Sequence, residues 1–279
     1  MFKSLSPGAI GVRVTGLGEG LQLAARHRFE GYHFGIGEAA DLGVVQVREL
    51  AAAAGVRLSA WGFPVNFRGD AAEHEKGLAA LPRLAQAAAE LGVRRTATWI
   101  LPASDELTYA ENFRFHVERL QPAARILEAA GVHLGLEYVG PLTSRAGKQH
   151  EFAHTMPQML ELCHAVGPNV GLLLDAWHWY TSGESPADLR RLAPEQVVDV
   201  HVNDAPRRPV DEQIDNVRAL PGETGVIDIA GFLGALKAIG YDGPIMVEPF
   251  SDKLRALPPD EACATTAAAL AKVWEQAGV

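Results

Sequence analysis

The chain has 279 residues, 48% of them hydrophobic and 21% charged, a globular balance that excludes a largely disordered protein. Its formal net charge of -9, from 25 Lys and Arg against 34 Asp and Glu, argues against a general affinity for nucleic-acid backbones. No apolar run approaches the roughly 20 residues that span a bilayer, and Pro7 and Gly8 break the opening stretch before a signal-peptide core can form. A soluble, cytoplasmic chain with neither a membrane nor a nucleic-acid partner is the expectation.

Short β-branched runs alternate with longer alanine- and leucine-rich stretches throughout. Strands are predicted at 9–15, 31–36, 56–61, 94–100, 132–138, 169–175, 197–203 and 244–248. Helical patterns fill the intervals, among them 77–91, with Pro82 as a disturbance, 113–130 and 155–166. Gly92, Gly131 and Gly240 each stand just past a helical run, where a left-handed residue closes the last turn. Eight strands each followed by helix-forming sequence is the count of a closed parallel (β/α)8 barrel, an α/β TIM barrel, as one domain over 1–279. The alternative is a doubly wound open sheet, whose glycine fingerprint would need glycine where Leu21 stands after Gly16-Leu17-Gly18-Glu19-Gly20. That stretch reads as a plain strand-to-helix loop. Cys163 and Cys263 each fall in a helical stretch and read as buried thiols.

The chemistry gathers at the strand ends. The fifth strand, HLGLEYVG, presents Glu137; the sixth, VGLLLDAWHW, presents Asp175; the seventh, VVDVHVND, presents His201; the eighth, PIMVEPF, presents Glu248. Each follows a run of apolar residues and so reaches the C-terminal face, where barrel enzymes place their sites. Three carboxylates on adjacent strands would converge, and anions held that close need a cation. Three carboxylates and one imidazole suit one divalent ion of the Mn²⁺, Mg²⁺ or Co²⁺ type, with Zn²⁺ also accommodated, and leave one or two positions for water or substrate oxygens. The competing arrangement is an ion-pair network with Arg or Lys in the hole.

From Val132 to Phe250 these residues resemble the xylose isomerase-like barrel superfamily, in particular its sugar isomerase and epimerase branch. The branch carries a Glu, Asp, His, Glu metal set on its last four strands, matching Glu137, Asp175, His201 and Glu248, and often a His three residues after the Asp, matching His178. The stretch Arg218-Ala-Leu-Pro-Gly-Glu-Thr-Gly-Val-Ile-Asp228 is similar to the loop ahead of the seventh helix and makes Arg218 a candidate contact for substrate or for a site carboxylate. Arg207, six residues after His201, matches a residue of some 3-epimerases, whereas Thr143 stands where those enzymes have a further acid.

The resemblance implies a metal-dependent isomerase or epimerase of a small sugar, cyclitol or other α-hydroxycarbonyl compound. The ion would act as Lewis acid on the developing enediolate, Glu137 and Glu248 would transfer the proton, and His178 would hydrogen-bond a substrate oxygen or shuttle a proton. Trp61, Trp99, Trp177 and Trp179 lie at or beyond strand ends, where they would wall a sugar pocket, while Trp274 reads as packing. A homo-oligomer is implied by analogy alone. Three alternatives stay open. A lyase would dehydrate a keto-polyol or keto-acid at the same site. A nuclease of the endonuclease IV type would need a histidine series on the early strands, whose expected ends are Thr15, Ile36, Trp61 and Ile100. A binding barrel would keep the ligands without turnover.

Overall fold

The computed structural model describes residues 1–279. Its eight main strands are β1 (Phe2–Leu5), β2 (Gly31–Phe34), β3 (Arg57–Gly62), β4 (Arg95–Trp99), β5 (His133–Glu137), β6 (Val170–Asp175), β7 (Val197–Val202) and β8 (Pro244–Val247). They pair in parallel in chain order, and β1 closes the ring on β8 with Phe2 opposite Pro244. This is a (β/α)8 barrel. β7 is buried along its whole length, as strands covered on both faces must be, and its four valines among six residues are what made it legible. A short antiparallel ribbon, Ala103–Ser104 with His150–Glu151, ties two loops together above the C-terminal face.

Helices such as Ala71–Glu90, Tyr109–Ala129, Met156–Val166 and Pro259–Ala277 form the outer layer. Asp70 caps the first by accepting Glu73 N–H, and Thr108 with Glu111 makes a reciprocal capping box on the second. Gly92, Gly131 and Gly240 have φ of 76°, 67° and 83°, the left-handed conformation expected at helix ends. The Ala71–Glu90 helix runs unbroken through Pro82, because Leu81, Leu84 and Ala85 are buried on its inner face and their packing outweighs one lost hydrogen bond. Cys163 and Cys263 are both buried thiols.

Two expectations fail near the start of the chain. The first strand is Phe2–Leu5, and 9–15 is a turn and loop: a 3-10 turn at Gly8–Ile10 ends at Gly11 with φ 78°. The alternation Ile10, Val12, Val14 mimics a strand, yet Ile10 and Val12 are buried from a chain folded across the end of the barrel. Gly16 to Gly20 is likewise no loop, since the helix Leu17–Arg26 begins inside it and Glu38 accepts Leu17 N–H at 2.7 Å. Gly20 is required there by contact: a Cβ would lie 2.0 Å from the Tyr32 hydroxyl.

Candidate metal centre

Glu137 is the last residue of β5 and Asp175 the last of β6, while His201 lies one residue before the end of β7, in register with Asp175. Glu248 follows β8 directly and extends its ladder, donating its backbone N–H to Val202 O. One ligand atom from each of the four lies within 4.8 Å of every other. Neighbouring strands of a barrel deliver adjacent ends to one side of the mouth, and this is how four residues spread over 112 positions of sequence meet.

Asp175 is fully buried and held on all sides. Its Oδ1 accepts Trp177 N–H at 2.6 Å and Asn203 Nδ2–H at 2.9 Å, and its Oδ2 accepts Arg218 Nη1–H at 2.9 Å. Arg218 also reaches Glu248 Oε2 at 3.4 Å and Asp215 Oδ1 at 2.8 Å. The guanidinium therefore spans part of the acid cluster, as the ion-pair alternative requires. It does not complete it. Glu137 Oε1 and His201 Nδ1 are buried without a hydrogen-bond partner, His201 Nδ1 lying 3.5 Å from Glu248 Oε2, an ion-pair contact only, and one guanidinium faces four carboxylates. Unpaired buried donors and acceptors are costly, and two atoms of metal-ligand type orphaned on the same side as an excess of negative charge fit a divalent cation held by Glu137, Asp175, His201 and Glu248.

The protonation pattern carries the same imbalance. Burial, followed by the charge of Asp175, raises the Glu137 carboxyl well above its usual range. Burial works against a charged His201, but Glu248, Asp199 and Glu137 together outweigh it and raise the imidazole, while His201 and Arg218 lower Glu248 despite its own burial. The protons of the cluster are thus held on Glu137 and His201, while Glu248 stays anionic between His201 and Arg218.

His178 is buried, and burial followed by Arg218 lowers it to about 3, so the ring is neutral. Its Nδ1 accepts Gly140 N–H at 3.2 Å, which assigns the ring proton to Nε2. That nitrogen faces Glu137 Oε1 at 3.9 Å and Asp215 Oδ1 at 3.8 Å. Its nearest polar neighbour is Arg218 Nη2 at 3.3 Å, itself a donor, so the ring proton has no acceptor at hydrogen-bonding distance.

Arg218 is positioned by its loop. Asp204, fully buried, accepts the backbone N–H groups of Ala205, Thr224, Gly225 and Ile227 and pairs by a backbone bridge with Ala219. Glu223 accepts Leu220 N–H. Asp204, Glu223 and Glu38 thus serve as loop or cap acids. Phe250 holds φ 38°, a conformation that costs a non-glycine residue on the order of 1–3 kcal/mol, and its ring packs 4.6 Å from the Arg218 guanidinium.

Two cavities open at the mouth. One of about 440 Å³ is lined by Glu137, His178, Asp215, Arg218, Glu248 and Trp99, among others. The second, about 430 Å³, lies over the early strands and includes His33, Asp199, His201 and Trp61 in its wall. A third recess of about 380 Å³ surrounds Arg95 and His133 at the opposite ends of the strands and contains no acid cluster.

The remaining sequence-predicted residues take other places. Trp177 is fully buried behind Arg218, 5.3 Å from ring centroid to guanidinium, and is absent from the cavity walls. Trp179 packs against Phe232, and Trp274 lies under Lys3. Arg207 is exposed and donates to Thr224 O at 2.7 Å, bracing the Arg218 loop from outside. Thr143 donates to Gln213 O and joins two loops. Sequence reasoning missed Asp215, Asn203, Asp199 and His33. Of these, only Asp215, three residues before Arg218, left a local signal. The early strands are also less empty than their sequence suggested, since His33 on β2 groups with Asp199 and His201.

A parallel eight-stranded barrel with an acid-rich cluster of metal-ligand type at its C-terminal face defines the class. The pattern of the xylose isomerase-like TIM barrel family matches residues 19–273, and the chain belongs to that family. It is 29% identical over 176 residues to an inosose isomerase of Bacillus subtilis, covering 63% of this chain and 60% of that relative's length. A stretch of 92 residues, 32% of this chain, is 38% identical to 14% of a 3-dehydroshikimate dehydratase of Pseudomonas aeruginosa. Among solved structures, a xylose isomerase domain protein of Alicyclobacillus acidocaldarius aligns over 100% of both chains with a TM-score of 0.87 at 30% identity. The IOLI protein with a binding zinc atom aligns over 98% of both chains with a TM-score of 0.80, at 23% identity a likeness of fold.

Proposed function

We propose that the chain is a divalent-metal-dependent isomerase or epimerase of a small polyhydroxylated carbonyl compound, a sugar or an inosose. The observation that carries this reading is the pair of unpartnered ligand atoms, Glu137 Oε1 and His201 Nδ1, in a four-residue donor set that borders a cavity of about 440 Å³. The donor set suits Mn²⁺, Mg²⁺, Co²⁺ or Zn²⁺. Bound there, such an ion supplies Lewis-acid stabilisation of charge developing on neighbouring substrate oxygens.

The chain's own residues supply the rest. Glu137 and Glu248 both border the cavity, from strands on either side of Asp175 and His201. One carboxylate removes the proton from the carbon beside the carbonyl, and the other returns a proton to the opposite face or to the adjacent carbon. His178 donates its Nε2–H to a substrate oxygen and stays neutral throughout. Arg218 fixes Asp175 and Glu248 in place, while Trp99 and Phe250 add apolar side chains to the cavity wall. The inosose isomerase match supports a cyclitol or sugar-like substrate.

Incubation of the metal-loaded protein with a panel of ketoses, inososes and keto-acids in deuterated water tests the reading. The expected result is incorporation of one deuterium into a substrate or product of otherwise unchanged composition. Metal and substrate binding with neither exchange nor turnover would contradict it. The local match to a dehydratase favours a second reading, in which the same proton abstraction is followed by expulsion of a β-hydroxyl. Loss of the mass of one water from the product would decide for that lyase.

A further inference from the structure

Beside His201, within the barrel, lies a second polar layer that the proposed chemistry does not use. His33 on β2 faces Asp199 on β7, Nε2 to Oδ2 at 2.9 Å, and its Nδ1 lies 3.1 Å from the hydroxyls of both Ser4 on β1 and Ser59 on β3. Those two hydroxyls are 2.7 Å apart. The pattern orders its own protons: one serine donates to the other, a serine hydroxyl donates to Nδ1, and the ring proton on Nε2 goes to Asp199. The other Asp199 oxygen accepts Val200 N–H at 2.9 Å. Ser4, Ser59 and Asp199 are at most 5% exposed.

Barrel interiors are ordinarily filled by branched aliphatic side chains, and each polar group placed there is desolvated at a cost. Four such groups from four strands, all satisfied by one another, are more than packing requires. Their placement identifies what they serve. Asp199 precedes His201 by two residues on β7, so strand alternation turns both side chains to the same face. Ligand-type atoms of His33, Asp199 and His201 lie within 4.8 Å of one another. The three do not suit a second cation, because its binding would have to break the existing His33–Asp199 hydrogen bond.

We infer that the Ser4–Ser59–His33–Asp199 chain positions His201 for metal binding: Asp199, close to the imidazole but beyond direct hydrogen-bonding distance, is its outer partner across one water, and His33 clamps Asp199. A carboxylate on the far side of a ligating histidine selects the tautomer whose free lone pair points at the metal, and removing such a partner costs about 10–100-fold in affinity. Asp199 and His33 are positioning residues here, and the inference rests on the metal reading proposed above.

Co²⁺ titration of the full-length protein, by competition with a chelating dye and by the visible absorption of the bound ion, tests it. Asp199→Asn and His33→Leu should each weaken Co²⁺ binding by about 10–100-fold and alter the absorption spectrum. His33→Gln, which keeps an N–H donor for Asp199, should stay within about threefold of wild type, a rescue that a purely space-filling role would not produce. Wild-type affinity and an unchanged spectrum in Asp199→Asn would overturn the inference, as would two Co²⁺ ions per wild-type chain. Should Asp199→Asn fail to fold, the contrast between His33→Leu and His33→Gln decides, equal affinities overturning the inference. Normal Co²⁺ binding and deuterium exchange in these variants would remove this inference alone; a wild-type chain that takes up no Co²⁺ removes it together with the metal reading.

Discussion

Glu137→Gln and Glu248→Gln are each expected to lower kcat by about 10²–10⁴-fold at saturating metal, the range general acid–base groups contribute. Glutamine preserves the size of the side chain and an oxygen ligand but cannot accept the proton. Metal affinity falls too, because each change removes one negative charge from the site, so turnover must be compared at full occupancy. The two variants should also separate the half-reactions. The one lacking the abstracting base loses solvent deuterium exchange along with turnover. The one lacking the returning acid retains exchange at the first carbon while net conversion stops. Steady-state kinetics with metal content measured on the same samples check this, and turnover retained in both variants would show that neither carboxylate moves the proton.

Metal affinity should climb with pH. Without metal, Glu137 is raised by burial and by Asp175, and His201 is raised by Glu248 against its burial. Both therefore hold protons well into the range where free carboxyl and imidazole groups have lost theirs. A metal ion needs both ligands bare, so its binding releases them, and the direction is fixed: weakest binding in acid, tighter as pH rises. Release of one to two protons corresponds to about one to two decades in affinity per pH unit. Mn²⁺ titration between about pH 6 and 8 in non-chelating buffers measures that slope directly. A flat or falling profile would mean that the four side chains do not bind the ion with those protons displaced.

The meeting of Glu137, Asp175, His201 and Glu248 was legible because strand ends such as VGLLL before Asp175 and PIMV before Glu248 can only be buried strands, and a barrel places their ends together. The strand count came from the same signal. Phe2–Leu5 escaped it, since four residues carry too little pattern, while Ile10, Val12 and Val14 alternated like a strand although Gly11 turns the chain there. Asp199 and His33 were invisible for a different reason. A polar residue inside an alternating strand reads as outward-facing, and only the three-dimensional register shows that β2 and β7 turn theirs toward each other across the barrel. Arg218 was expected to contact substrate or a carboxylate; that it touches Asp175, Glu248 and Asp215 at once depends on how Asp204 folds its loop, which no local spacing encodes. Trp177 followed a strand end, as a pocket wall would, but the next helix begins at Ala176 and carries the indole inward.

Anomalous diffraction from crystals of the protein grown with Co²⁺, recorded on both sides of the cobalt edge, addresses the cation directly. A single strong peak between Glu137, Asp175, His201 and Glu248, with Arg218 beside it and still paired to Asp175 and Asp215, is the predicted result. Absence of a peak, with the guanidinium seated among all three carboxylates, would contradict it and leave an ion-pair network where a reaction centre is claimed.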